Sequence, residues 1–138
     1  MPITRILLVD DFKPWRVAAR RILSAVPDFQ IVGEASDGVE AIEQAGALHP
    51  DIVLLDIGMP LLNGLEAAKT IRRASPESKI IFLTGQDDEE LRSAALATGA
   101  VAYLVKSKTT QLSLEAAIRR TRAESVSLVR PAASVSFP

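Results

Sequence analysis

A chain of 138 residues, 48% of them hydrophobic, makes one ordinary domain with a single core and no room for a second module. Its formal charge of −1 at pH 7 offers no basic footprint to a nucleic-acid backbone, so this chain alone is not expected to bind DNA. With no cysteine and one histidine, disulfide scaffolds, thiolate sites and polyhistidine metal centres are excluded, and any metal must be held by oxygen.

The first apolar run, Ile6-Leu-Leu-Val9, is closed by Asp10 and Asp11. It is too short for a secretion signal, and no window approaches the roughly 20 apolar residues of a membrane span, so a soluble, cytoplasmic protein is expected. From there short Val, Ile and Leu runs alternate with longer stretches of helical spacing, the pattern of βαβ units around a parallel sheet. Strands are expected over residues 5–9, 30–35, 51–56, 79–84 and 101–105, apolar without alternation because both faces are covered.

The first helix is expected over 14–26, with Pro14 in its opening turn, a buried stripe of Trp15, Ala18, Ala19, Ile22, Leu23 and Val26, and Arg16, Arg20 and Arg21 outside. The second, over 38–48, follows an Asp37 cap, buries Ala41, Ile42 and Ala45, and ends at His49-Pro50, where His49 reads as a helix-end residue. The third, over 64–74, buries Ala67, Ala68 and Ile71. The fourth, over 87–98, opens on four acids, buries Leu91, Ala94 and Ala95, and stops at Gly99. The fifth, over 110–125, buries Leu114, Ala117, Ile118 and Thr121 and shows Arg119, Arg120 and Arg122 to solvent or a partner. Residues 1–125 thus form the domain, and 126–138 read as a tail or the start of a linker.

The fold class that follows is α/β, a three-layer, doubly wound, five-stranded parallel sheet of flavodoxin-like order 2-1-3-4-5. In that order the strand sequence reverses between strands one and three, and ligands sit there, outside the carboxyl ends. Asp10, Asp11 and Asp56 close those two strands, and Thr84 and Lys106 close strands four and five. Singly, an Asp pair can be a turn or cap, Thr84 a cap hydroxyl and Lys106 a surface lysine; position gives them weight together. Two carboxylates about 4 Å apart repel by about 1 kcal/mol in water and about 4 kcal/mol at an effective dielectric of 20, so three in one pocket call for a cation. Mg2+ takes one or two carboxylates and keeps positions open for water and phosphate oxygens, with Lys106 supplying further positive charge.

Leu7-Leu8-Val9-Asp10-Asp11, Asp56 through Gly64, Phe82-Leu83-Thr84-Gly85 and Tyr103-Leu104-Val105-Lys106 resemble the response-regulator receiver domain of two-component signalling, over about residues 3–124. The stretch from Gly58 and the pattern around Leu114 are most similar to receivers of the NarL/LuxR type, which normally carry a C-terminal helix-turn-helix. The sequence ends before one, which is expected to mean an excised receiver or a single-domain regulator. The resemblance implies Asp56 as phosphoacceptor, Asp11 as direct Mg2+ ligand with Asp10 acting through water, and Gly58 as donor of a backbone carbonyl. It implies Thr84 and Lys106 as phosphoryl contacts and Tyr103 as the aromatic that changes rotamer. It further implies a phosphorylation-dependent switch rather than an enzyme with a separate substrate, a sensor histidine kinase as partner, and a homodimer face on helix four, strand five and helix five. The family often has Pro after the lysine; Ser107 stands there, so a trans bond and a rearranged loop are expected. Positions two beyond the acceptor and the threonine tune hydrolysis in the family, and here they are Gly58 and Gln86. Alternatives are a receiver-like module that binds partners without phosphorylation, and an aspartate-nucleophile phosphohydrolase, which would want a second Asp where Gly58 stands.

Overall fold

The computed structural model describes the backbone of residues 2–134 and the side chains of residues 2–123. Five strands, β1 (Thr4–Val9), β2 (Phe29–Ala35), β3 (Ile52–Leu55), β4 (Lys79–Thr84) and β5 (Ala102–Val105), make one sheet in the order β2-β1-β3-β4-β5. Every pairing is parallel. Between the strands run α1 (Lys13–Ser24), α2 (Gly38–Leu48), α3 (Gly64–Ala74) and α4 (Glu89–Ala97), and α5 (Gln111–Ser134) follows β5. The expected boundaries agree to within a residue or two, except at the end of α5.

The two-residue period of a strand divides each central strand between two cores. Leu7, Val9, Val53, Leu55, Ile80 and Phe82 face the helices α2, α3 and α4, which meet them with Ala41, Ala45, Ala67, Ala68, Ile71 and Ala95. Ile6, Leu8, Ile52, Leu54, Ile81 and Leu83 face α1 and α5, which contribute Ala19, Leu23, Leu114 and Ile118. Small residues on α2, α3 and α4 let those helices lie close on the sheet.

The expectation of full coverage holds for β1, β3 and β4 and fails at the edges: Gln30 of β2 is exposed and Ile31 through Glu34 are half-buried. An edge strand has a neighbour on one side only, so the helices overhang it incompletely. For the same reason Ile22 and Ala94, expected inside, are exposed at the margins of their helical stripes, and Trp15, Ala18, Ile42 and Leu91 are half-buried. Asp37 caps α2 as expected, its Oδ1 accepting the Glu40 amide at 2.8 Å, and Gly99 after α4 takes a φ of 99°, which a glycine adopts without strain.

The backbone of α5 continues to Ser134, past residue 125 where the apolar period fades. The run from Ala123 to Arg130 contains neither glycine nor proline, so nothing in it breaks the helical hydrogen-bond ladder. The last four residues of the expected tail, 135–138, lie outside the described residues. Among the described residues no helix is long and apolar enough to cross a membrane.

Candidate functional site

Register assembles the site. Val9 of β1 pairs with Leu55 of β3, so the next residues, Asp10 and Asp56, emerge side by side at the carboxyl edge where strand order reverses. Their backbones are tied down: the Asp10 amide donates to the Ala35 carbonyl and the Asp56 amide to the Val9 carbonyl, each at 3.0 Å. On the other side Thr84 of β4 pairs with Val105 of β5, so Lys106 rises next to it.

The carboxylates of Asp10, Asp11 and Asp56 each offer an oxygen, and these lie within 4.8 Å of one another. Asp10 and Asp56 are buried and Asp11 is exposed, so the cluster opens on one side to solvent. Lys106 Nζ forms an ion pair with Asp10 Oδ2 and stands 3.6 Å from Asp56 Oδ2. One ammonium against three carboxylates leaves excess negative charge in a partly desolvated pocket. The donor set is all hard oxygen with an open face, which fits Mg2+ and offers no soft ligand for thiophilic metals.

Burial pushes the Asp56 carboxyl above its ordinary value of 3.8; the Thr84 hydroxyl, Lys106 and the Ile57 amide offset part of that, while the Asp10 charge adds to it. The Ile57 amide donates to Asp56 Oδ1 at 2.8 Å, leaving Oδ2 toward the lysine. Asp10 does two jobs: its Oδ1 accepts the Phe12 amide at 2.9 Å, shaping the turn into α1, while Oδ2 takes Lys106.

The remaining expected residues fall around this pocket. Thr84 is buried at the end of β4, and its Oγ1 accepts the Gln86 amide at a long 3.4 Å. Gly58 is exposed, two residues beyond Asp56, and a Cβ there would meet only the Gln86 side-chain amide, at 3.5 Å. The two positions expected to govern hydrolysis therefore face one another. Tyr103 is buried on β5 and donates its hydroxyl to the Gln86 carbonyl at 2.6 Å, with the Arg92 guanidinium 5.1 Å from its ring centroid. Residues 106–108 form a single 3-10 turn, and the Lys106–Ser107 bond is trans, as expected.

Several supporting residues were not legible in the pattern. Arg16, expected on the outer face of α1, points inward: it donates to the Asp10 carbonyl at 2.5 Å and pairs with Glu34 of β2 at 3.0 Å. Arg20 pairs with the same Glu34 at 2.6 Å. The signal available was Glu34, the one charged residue of β2, which needs a cation once half-buried. Gly64 was expected as the start of α3 and the end of the motif from Asp56, with no role of its own, yet a Cβ there would overlap the Asp56 carbonyl oxygen. His49 has no part in this site; it closes α2 in the left-handed region at φ 46° and its Nδ1 lies 2.9 Å from Glu77.

A doubly wound sheet with acids, a lysine and a threonine gathered at its switch point defines a flavodoxin-like domain with a mixed-charge pocket at its carboxyl edge. The chain belongs to the response regulator receiver domain family, which matches residues 6–119. It is 42% identical over 101 residues to the nitrate/nitrite response regulator protein NarL of Escherichia coli K12, covering 73% of this chain and 47% of that protein. It is 44% identical over 106 residues to a protein-glutamate methylesterase/protein-glutamine glutaminase of Methanosarcina acetivorans, covering 75% of this chain and 30% of that protein. The chain therefore matches less than half the length of either of these two relatives. Its structure superposes with a TM-score of 0.82, at 28% identity, on the signal receiver domain of the response regulator NarL from Mycobacterium tuberculosis, covering 88% of this chain and 98% of that one.

Proposed function

We propose that this domain works as a phosphorylation-dependent switch in a two-component system, with Asp56 the residue that takes the phosphoryl group from a sensor histidine kinase. The observation that carries it is the company Asp56 keeps: Lys106 Nζ at 3.6 Å and the carboxylates of Asp10 and Asp11 in one cluster at the switch point of the sheet.

Asp56 Oδ2 attacks phosphorus in line; the new P–O bond forms as the P–N bond of the phosphohistidine breaks, and the imidazole leaves. Asp10, Asp11, Asp56 and the Gly58 carbonyl would hold Mg2+, which when bound would supply positive charge to the phosphoryl oxygens. Lys106, released in part from Asp10, meets one of those oxygens. The Thr84 hydroxyl donates to another, and its inward shift changes the volume next to Tyr103. Tyr103 and Arg92 carry that change to the face of α4, β5 and α5, where a homodimer or an output domain responds. The phosphoryl group biases this face only as far as it binds the active arrangement more tightly. The chain assists its own phosphorylation and dephosphorylation and turns over no separate substrate. Residues 1–125 are the receiver and 126–138 a tail or the lead into a linker; the site of action is the cytoplasm, and this domain itself contacts no DNA. Gly58 stands where a phosphohydrolase would keep its second Asp, so nothing favours that chemistry.

Incubation with Mg2+ and acetyl phosphate, read by intact mass, is expected to add one phosphoryl group to the wild type and none to Asp56→Ala. No gain in the wild type, or the same gain in the variant, sinks the assignment of Asp56.

A further inference from the structure

The Lys106 ammonium has a third neighbour besides Asp10 and Asp56. Its Nζ stands over the indole of Trp15, 4.5 Å from the ring centroid. Trp15 lies in the first turns of α1, half-buried, at the mouth of a groove of about 120 Å³ between α1 and α5 that Ala18, Ala19, Leu23 and Leu114 also line. The ring packs on the α1–α5 core at one side, the groove lies beside it at another, and the ammonium gives its face an attractive partner.

We propose that Trp15 is a positioning residue for phosphoryl transfer, holding the Lys106 ammonium over its ring so that the charge stands beside Asp56. This rests on the reading of Asp56 as acceptor and Lys106 as its charge partner. A lysine is a point charge on a flexible four-carbon stem, and an unsupported one leaves the pocket for water. An aromatic face suits the task better than another carboxylate would. It attracts the cation through its quadrupole and keeps water from one side, yet accepts no strong hydrogen bond that a phosphoryl oxygen would have to displace. The Asp10 carboxylate meets the ammonium on one side and the indole on another, and the same nitrogen stands 3.6 Å from Asp56 Oδ2, the acceptor atom.

Trp15 is the sole tryptophan, so its emission reports this contact without label, metal or phosphodonor. In metal-free buffer, Lys106→Met is expected to change the intensity or wavelength of Trp15 emission while circular dichroism stays the same; unchanged emission overturns the proposal. In Mg2+ and acetyl phosphate, Trp15→Leu is expected to slow Asp56 phosphorylation about three- to tenfold, and Trp15→Phe, which restores an aromatic face, to bring the rate back to within about twofold of wild type. In a Lys106→Met background Trp15→Leu is expected to have no further effect, because the partner is already gone. Equal slowing by Leu and Phe, or the same slowing with Lys106 absent, reduces Trp15 to a packing residue and overturns the proposal. A wild type that accepts phosphoryl beside an equally fast Trp15→Leu removes only this inference; a wild type that accepts none removes the reading beneath it, and the metal-free emission arm separates the two.

Discussion

Leu61 sits in the loop between Asp56 and α3 at a φ of 67°, with 82% of its surface exposed. A left-handed conformation costs an ordinary L-residue about 1–2 kcal/mol, and this leucine recovers little by burial. Asparagine tolerates that region, so Leu61→Asn is expected to stabilise the domain by about 0.5–1 kcal/mol, seen as a higher urea midpoint at unchanged slope. Gly58 in the same loop and Gly64, which opens α3, make a second comparison. A Cβ at Gly64 would drive into the Asp56 carbonyl, whereas one at Gly58 meets an ordinary contact at 3.5 Å. Gly64→Ala is therefore expected to cost about 1–3 kcal/mol by overpacking and to impair phosphorylation through the displaced Asp56, while Gly58→Ala stays within about 0.5 kcal/mol; parallel melts and mass assays check both.

At the scale of elements, the basic face expected on α5 turns out to be partly an internal clasp. Arg119 makes two hydrogen bonds to Asp28, at 2.9 and 3.0 Å, just before β2, and Arg122 pairs with Asp51 at 3.2 Å beside β3. Arg119 also lies 5.1 Å from the Phe29 ring centroid, so the last helix is fastened to the first half of the sheet by charge as well as by Leu114 and Ile118. The hydrogen bonds from Arg119 hold the Asp28 carboxyl below its ordinary value of 3.8. A depressed carboxyl stabilises the fold above its unfolded value, and that contribution is lost as pH falls through the folded value. Asp28→Asn is thus expected to melt below wild type at pH 6, with the gap closing as buffers are taken well below pH 4, in a calorimetric pH series.

The whole molecule carries an electrostatic cost at its functional edge. Parallel topology and the reversal of strand order bring three carboxylates within 4.8 Å, and burial raises the Asp56 carboxyl, so its charged form opposes folding when no cation is present. In metal-free buffer at neutral pH, Asp56→Asn is expected to melt above wild type. Millimolar Mg2+ is expected to raise the wild-type melting temperature through preferential binding to the folded state, and to raise that of the variant less. Equal Mg2+ shifts in the two proteins would argue against Asp56 as a ligand.

The order of strands and helices, the caps at Asp37 and Gly99, and the alignment of Asp10, Asp11, Asp56, Thr84 and Lys106 at strand ends were readable from sequence. Hydrophobic period and turn chemistry are local, and the crossover rule then leaves few topologies. Tertiary structure alone decided that Ile22 and Ala94 lie outside the cores, that Arg16 turns in to the Asp10 carbonyl, that Gly64 must be small for the sake of Asp56, and that Trp15 carries Lys106 on its face. Each of these depends on how far one element overhangs another and on which side chain reaches across a gap. Such distances between residues far apart in the chain leave no periodic mark along it.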